Sequence, residues 1–147
     1  ARAVDRRYLA LVHGVIAHDT GMVDAPIARS ANERTRMAVR DVPSAREAVT
    51  TFRVLERFEH GAHDDGYTLV DCKLFTGRTH QIRVHMASIG HPLLGDTLYS
   101  SGRSPYKLQG QTLHAMTIGF IHPRTREYME VTAPLPEYFE KILKDLR

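Results

Sequence analysis

The sequence is poor in cysteine, contains no tryptophan and has no long apolar run. Its single cysteine, Cys72, cannot form a disulfide within the chain, and no feature of these residues points to export. We therefore expect a reducing, cytoplasmic setting. No segment approaches the roughly 18 consecutive apolar residues that a membrane-spanning helix needs. The 147 residues suit one domain with a buried core.

Lysine is also scarce, because arginine supplies 16 of the 20 basic residues in a chain of net charge +3. The planar guanidinium pairs bidentately with phosphate and stacks on bases, so this bias favours a nucleic-acid partner. A genome rich in arginine codons would produce the same bias. Composition alone leaves both explanations open.

The nine histidines raise the question of a metal site, and their spacing argues against one. His80 and His85 are five residues apart, whereas zinc-binding helices place two histidines four apart on one face. No glutamate stands where an H-E-x-x-H motif needs it. We therefore expect no metal centre, which disfavours a histidine-based metallohydrolase. We expect both histidines to bond to backbone or to phosphate.

The apolar pattern predicts one α+β domain dominated by antiparallel strands, without repeats or an internal linker. Strands are predicted at 8–16, 37–40, 51–58, 67–75 and on both sides of a turn at 123–126. Residues 100–110 are rich in glycine, serine and proline, which predicts a loop. The C-terminal LPEYFEKILKDLR predicts a helix, because four apolar residues share one face: Phe139, Ile142, Leu143 and Leu146.

The central segment TGRTHQIRVHMASIGHPLLGD, residues 76–96, predicts a second helix. Thr79 is placed as its N-cap and Gly90 as the left-handed residue that ends it. One apolar stripe is expected from Ile82, Met86 and Ile89. Val84 and Ala87 project from the other side, so the helix lacks a clean polar face. It is expected to be buried around most of its circumference.

Two arginines of this segment indicate that an anion binds beside them. Arg83 falls in the second turn of the covered helix, where an unpaired guanidinium would cost about 3–5 kcal/mol. Arg78 precedes the helix start, where free backbone N–H groups already favour an anion. The anion could be a phosphate or a carboxylate in an RNA cleft. Alternatively, Arg83 pairs with an ordinary core carboxylate such as Asp71 or Asp96.

The segment TGRTHQIRVHMASIGHPLLGDTLY, residues 76–99, closely resembles the most distinctive motif of the ribosomal large-subunit type of pseudouridine synthases. Other stretches resemble the same family in the same order: RRYLALVHG, DAPIARS, RTRMAV, LHAMTIGFIHPRTRE and APLPEYF. The resemblance implies isomerisation of uridine to pseudouridine in rRNA or tRNA, without a metal or organic cofactor. It also implies a mixed, mainly antiparallel sheet with flanking helices and an RNA cleft across it.

The resemblance assigns two catalytic residues to this chain. Tyr8 corresponds to the family tyrosine that stacks on the target uracil and assists proton removal. Arg83 corresponds to the arginine that pairs with the catalytic aspartate. Substrate-binding positions beside the cleft are implied for Arg78, Thr79, His80, Gln81 and Ile82, with Ile82 packing on the uracil and Arg78 contacting phosphate.

One departure from the family concerns the nucleophile. The family carries its nucleophilic aspartate in an H-R-L-D type segment before the tyrosine motif, and these 147 residues contain no such segment. Residues 1–147 are therefore expected to be the C-terminal part of one catalytic domain, inactive alone. They would expose a sheet edge through which copies self-associate. The alternative is a non-catalytic RNA-binding module that keeps the cleft.

Overall fold

The computed structural model describes residues 3–33, 35–59, 65–78, 80–100 and 111–147, with only the backbone of residues 3–5 and 118–120. Within them a six-stranded sheet runs in the order β2-β5-β6-β1-β7-β8, and β3 and β4 form a separate pair. The elements are β1 (Ala3–His13), β2 (Thr20–Asp24), β3 (Ile27–Arg29), β4 (Met37–Val39), β5 (Val49–Phe58), β6 (Tyr67–Leu74), α1 (Gln81–Ser88), β7 (Leu113–Ile121), β8 (Tyr128–Thr132) and α2 (Glu137–Leu146).

Strand β1 lies inside the sheet and is covered on both faces. Leu9 and Leu11 pack in one apolar cluster with residues of α2, and Ala10 and Val12 pack in another with residues of α1. Side chains alternate along a strand, so the two helices lie on opposite faces, here named the α2 face and the α1 face. Complete burial of a leucine side chain stabilises the fold by about 1.5–3 kcal/mol.

The predicted α+β class is confirmed, and most predicted strands are present. The prediction missed β2 and β3, which are short and have no long apolar alternation. The first strand ends at His13 instead of residue 16, because Gly14 turns the chain with a φ of 81°. A mixed, mainly antiparallel sheet was predicted, and every strand pairing in the described ranges is antiparallel.

The helix of the central motif, α1, ends as predicted and begins differently. Gly90 follows its C-terminus with a φ of 87°. The N-cap position belongs to His80, with a φ of 56° and no capping bond from its side chain, whereas Thr79 lies outside the described residues. Five of the eight helical residues are buried, as the two-sided apolar pattern predicts. Ile89 is 40% exposed at the C-cap, so its place in the buried stripe was wrongly predicted.

The last strand, β8, pairs with β7 along one side and is exposed at all five positions. Its apolar residues Tyr128, Met129 and Val131 are between 43% and 58% exposed. The predicted loop at 100–110 lies almost wholly outside the described residues. Neither α1 nor α2, the helices of the described part, is long and apolar enough to cross a membrane.

Candidate functional site

Arg83 and Asp96 form a bidentate ion pair beside α1. Arg83 Nε donates to Asp96 Oδ2 at 2.9 Å, and Nη2 donates to Oδ1 at 3.0 Å. The Asp96 side chain is fully buried, and the Arg83 side chain is 14% exposed. Asp96 Oδ1 also accepts the backbone N–H groups of Leu98 and Tyr99. Both charges are thereby satisfied within this chain.

This pair decides between the alternatives for the burial of Arg83. The core carboxylate Asp96 is its partner, so its burial does not require a carboxylate from another stretch of polypeptide. Arg83 Nη1 makes no hydrogen bond among the described residues. A function for Arg83 toward a catalytic aspartate stays a prediction.

The electrostatics of the pair keep both groups charged. Burial by itself would raise the pKa of Asp96, but the hydrogen bonds from Arg83 and from two backbone N–H groups outweigh it and lower the pKa. The hydrogen bond to Asp96 raises the pKa of Arg83 further above its ordinary value. The ion pair therefore persists throughout the neutral pH range.

Tyr99 joins the ion pair to the start of α1, a function that the sequence patterns did not indicate. The Arg83 guanidinium lies 5.1 Å from the centroid of its ring, within cation–π range. Its hydroxyl accepts the Met37 N–H at 2.9 Å and lies 2.7 Å from His80 Nδ1. His80 therefore bonds to a side chain in this structure, where backbone or phosphate was expected. Burial and the charge of Arg83 lower the pKa of His80.

Gln81 is buried, and its amide bonds inside the chain at four points. Its Oε1 accepts from the Thr76 hydroxyl at 2.7 Å and from the Arg78 N–H at 3.0 Å. Its Nε2 donates at 2.9 Å to both the Val49 carbonyl and the Thr50 hydroxyl. Gln81 thus ties the turn before α1 to β5, so its amide positions that turn and is not directed at a ligand.

His85 extends this network into the core, where it is completely buried. Its Nδ1 lies 2.8 Å from the Thr50 hydroxyl, and its Nε2 lies 2.9 Å from the Ala25 carbonyl. The carbonyl can only accept, so Nε2 carries the proton, and the expected backbone bond is present. Burial lowers the pKa of His85. In the part of the chain that the structure describes, no histidine, cysteine, aspartate and glutamate side chains group as metal ligands.

Tyr8 and Ile82 meet on the α1 face. Ile82 is buried in the apolar cluster between α1 and the sheet, and half-buried Tyr8 packs against the same cluster. The Tyr8 hydroxyl has no hydrogen-bond partner among the described residues, although a tyrosine at such a depth usually finds one. Nor do Tyr8 and Arg83 share a hydrogen bond or ring contact there. The structure therefore brings Tyr8 and Ile82 together on the α1 face, and it places Arg83 beside Tyr99.

Two further arginines lie near the turn before α1. Arg78, predicted to contact phosphate, is half-buried and donates from Nε to the Glu47 carbonyl at 2.6 Å. Arg6, which the sequence patterns did not single out, lies against Gly77: a Cβ at Gly77 would be 2.4 Å from Arg6 Nη1. The Arg6 guanidinium has no ion-pair or hydrogen-bond partner among the described residues. The predicted contact residue Thr79 lies outside them.

Comparisons with known proteins agree on one similarity. The sequence profile described as "RNA pseudouridylate synthase" matches residues 1–88. "Uncharacterized RNA pseudouridine synthase YlyB" of Bacillus subtilis (strain 168) is 51% identical over 99% of this chain and 45% of its own length. "Ribosomal large subunit pseudouridine synthase D" of Xanthomonas campestris pv. campestris is 42% identical over 100% of this chain and 45% of its own length.

The fold is similar to that of solved structures as well. "Human RNA Pseudouridylate Synthase Domain Containing 1" superimposes with a TM-score of 0.75 and 27% identity, over 97% of this chain and 65% of that chain. "Human RNA Pseudouridylate Synthase Domain Containing 4" gives a TM-score of 0.71 at 25% identity. The chain spans less than half the length of the two curated relatives.

Proposed function

Because the chain belongs to the RNA pseudouridylate synthase family, we propose that it is part of an enzyme that isomerises uridine to pseudouridine in RNA. The observation that carries the proposal is Tyr8, a half-buried tyrosine whose hydroxyl has no hydrogen-bond partner among the described residues and whose ring packs on the cluster that contains Ile82. A uracil flipped from its stack needs such a surface. Stacking on an aromatic ring is worth about 1–3 kcal/mol per base.

Arg83 has the geometry for a second contact in this proposal. Asp96 holds its Nε and Nη2, which orients the guanidinium and leaves Nη1 for another carboxylate. We propose that the nucleophilic aspartate, carried by a segment outside these 147 residues, accepts from Nη1. Asp96 would then be a positioning residue for Arg83. The 147 residues alone would have no nucleophile and would not convert uridine to pseudouridine.

The substrate is proposed to be rRNA, as the names of several relatives suggest, or tRNA. Arg78 would contact phosphate near the target base, and Arg6, which has no ion-pair partner within the described ranges, lies in the same region. As an RNA-modifying enzyme, the protein would meet these substrates in the cytoplasm. The same residues would serve an RNA-binding module that has lost its catalytic activity. An assay of pseudouridine formation distinguishes that module from an active synthase.

The test is tritium release from a [5-³H]uridine-labelled rRNA or tRNA transcript by the longest natural polypeptide that contains this chain. We expect release by that polypeptide and none by residues 1–147. Tyr8→Ala should abolish release. Tyr138→Ala is the matched control, because Tyr138 lies on α2 and bonds to the Gln111 carbonyl. RNA binding by the long polypeptide without tritium release would favour the RNA-binding module.

The exposed edge strand β8 is proposed as the surface through which the isolated chain self-associates. On the side away from β7, β8 pairs with no strand of the described residues and presents backbone donors and acceptors beside exposed Tyr128, Met129 and Val131. A second copy of this chain could pair there. Light scattering of residues 1–147 at high concentration should show dimers, which Val131→Lys should dissociate. A monomer at every concentration would contradict the proposal.

A further inference from the structure

A groove of about 600 Å³ with several charged residues in its lining lies on the α2 face of the sheet. Arg7, Arg53, Asp71 and Lys73 line it, together with Thr51 and Met22. Lys73 is the cross-strand partner of Arg7 on one side and of Thr51 on the other, and Asp71 is the partner of Arg53. The groove thus spans four adjacent strands, β1, β6, β5 and β2.

The groove opens on the opposite side of the sheet from Tyr8. Arg7 alternates with Tyr8 along β1, and Leu9, on the same face as Arg7, packs in the cluster of α2. Leu9 is the cross-strand partner of Asp71, which places Asp71 on that face too. The charged residues of the groove therefore lie on the other face from Tyr8 and Ile82, although Phe52 of their cluster also lines the groove.

Asp71 organises the positive charge of this groove. Its side chain is 4% exposed and accepts hydrogen bonds from Arg7 and from Arg53, whose Nη2 lies 3.4 Å away. Arg7 and Arg53 are still 40% and 61% exposed, so each guanidinium also faces solvent. Lys73 lines the same groove, so three basic side chains lie in it beside one buried carboxylate.

An exposed aromatic ring borders the same basic surface. Phe75, which is 58% exposed, follows Lys73 on the same side of the chain. The Lys73 ammonium lies 5.5 Å from its ring centroid. Cations beside an exposed aromatic ring are typical of surfaces that bind single-stranded nucleic acid, since phosphates pair with the cations and a base stacks on the ring. An acidic polypeptide would use the cations and leave the ring unused.

We infer that this groove binds the phosphate backbone of single-stranded RNA on the side of the sheet opposite Tyr8. The identity of the partner rests on the proposed function, whereas the location rests on the charges and the cavity. An RNA that also reached Tyr8 would pass around the end of the sheet, where Arg6 lies against Gly77. The groove would then contribute affinity without contacting the target base.

The experiment measures binding of a fluorescein-labelled 20-nucleotide oligouridine by anisotropy, from about 0.05 to 0.2 M salt. Arg53→Gln combined with Lys73→Gln removes two cations and leaves Arg7 to pair with Asp71. We expect binding about tenfold weaker or more near 0.1 M salt, and a salt slope smaller by about 1.4, because each lost phosphate contact removes about 0.7. Phe75→Ala should also weaken binding, with an unchanged slope.

Lys141→Gln combined with Lys144→Gln is the matched control, because it changes the net charge equally on the exposed side of α2. Circular dichroism would establish that each variant is folded. Equal binding by the groove variant and the control would overturn the inference. The inference would also be overturned if the groove variant bound RNA normally but no longer bound a labelled polyglutamate peptide. The groove would then be a site for an acidic polypeptide. Tritium release by the long polypeptide tests the proposed function separately, since it depends on Tyr8.

Discussion

Arg83 and Asp96 are 13 positions apart and meet through two parallel hydrogen bonds of 2.9 and 3.0 Å. The carboxylate is fully buried, and it also closes the turn at Leu98 and Tyr99 by accepting two backbone N–H groups. One side chain thus holds both the guanidinium and the loop that carries Tyr99. Loss of either partner would leave the other charge without its neutralising group.

Removing the buried carboxylate should therefore be costly. We expect Asp96→Ala to lower the free energy of unfolding by about 3–5 kcal/mol, because a buried guanidinium and two backbone donors lose their acceptor. Urea unfolding followed by circular dichroism measures it. Glu56→Ala is the control, because it breaks the exposed pair with Arg147 and should cost about 1 kcal/mol or less. Equal losses in the two variants would contradict the importance of burial.

The buried His85 should make the fold sensitive to acid. Its pKa in the folded state lies below the ordinary value of 6.5, so the unfolded chain binds more protons between those two values. Its contribution is complete above about pH 6.5 and is lost as the pH falls through the folded-state pKa. His80 is shifted in the same direction and adds to the effect.

The measurement is the free energy of unfolding in urea at about pH 7.5 and pH 5.5. The unaltered chain should lose stability at the lower pH, and His85→Gln should show a smaller loss between the two. His18→Gln, at an exposed position, should keep the loss of the unaltered chain. A pH dependence that His85→Gln leaves unchanged would show that another group is responsible.

The amide of Gln81 should tolerate no change in its pattern of donors and acceptors. Gln81→Glu keeps the shape but replaces two N–H donors by an oxygen that faces the Val49 carbonyl and the Thr50 hydroxyl. We expect a loss of about 2–4 kcal/mol, since each buried unsatisfied group costs about 1–3 kcal/mol. Thermal unfolding measures it. Gln111→Glu is the control, and an equal loss there would contradict the argument.

Gly77 and Gly90 should respond differently to alanine. At Gly77 a methyl group would meet the end of the flexible Arg6 side chain, so we expect Arg6 to move at a cost below about 1 kcal/mol. At Gly90 there is open space, but a φ of 87° strains alanine by about 1–2 kcal/mol.

RNA binding should show the reverse order of effects. Gly77→Ala should weaken oligouridine binding as Arg6→Ala does, because both remove the guanidinium from its position near the motif. Gly90→Ala should bind as the unaltered chain does. Normal binding by Gly77→Ala together with weak binding by Arg6→Ala would mean that Arg6 acts from another position.

Cys72 should be inert in the folded protein. It is completely buried, and burial with the neighbouring charge of Asp71 raises the pKa of its thiol to about 12. At about pH 8 roughly one thiol in ten thousand would be ionised, and thiolate is the reactive form. Iodoacetamide should label the chain only in denaturant, as mass spectrometry can establish. Rapid labelling of the native chain would contradict the burial of β6.

Periodicity alone located the longer elements of the fold. The structure confirms the apolar pattern on both faces of β1 and on one face of α2. Each face that packs against a neighbouring element is apolar, so nearby residues of the sequence show it. The short β2 and β3 escaped prediction. Each is held by a partner that lies elsewhere in the sequence, β5 for the first and β4 for the second.

The family, the α+β class and the candidate residues Tyr8 and Arg83 follow from the sequence by itself, because motifs and periodicity are local properties of the chain. Only the tertiary structure decided which acid Arg83 meets, that Gln81 makes four internal hydrogen bonds, and that Arg7 and Arg53 share Asp71. The physical reason is that ion pairs and amide contacts depend on distances between strands and turns. Folding sets those distances, and the spacing of residues along the chain does not.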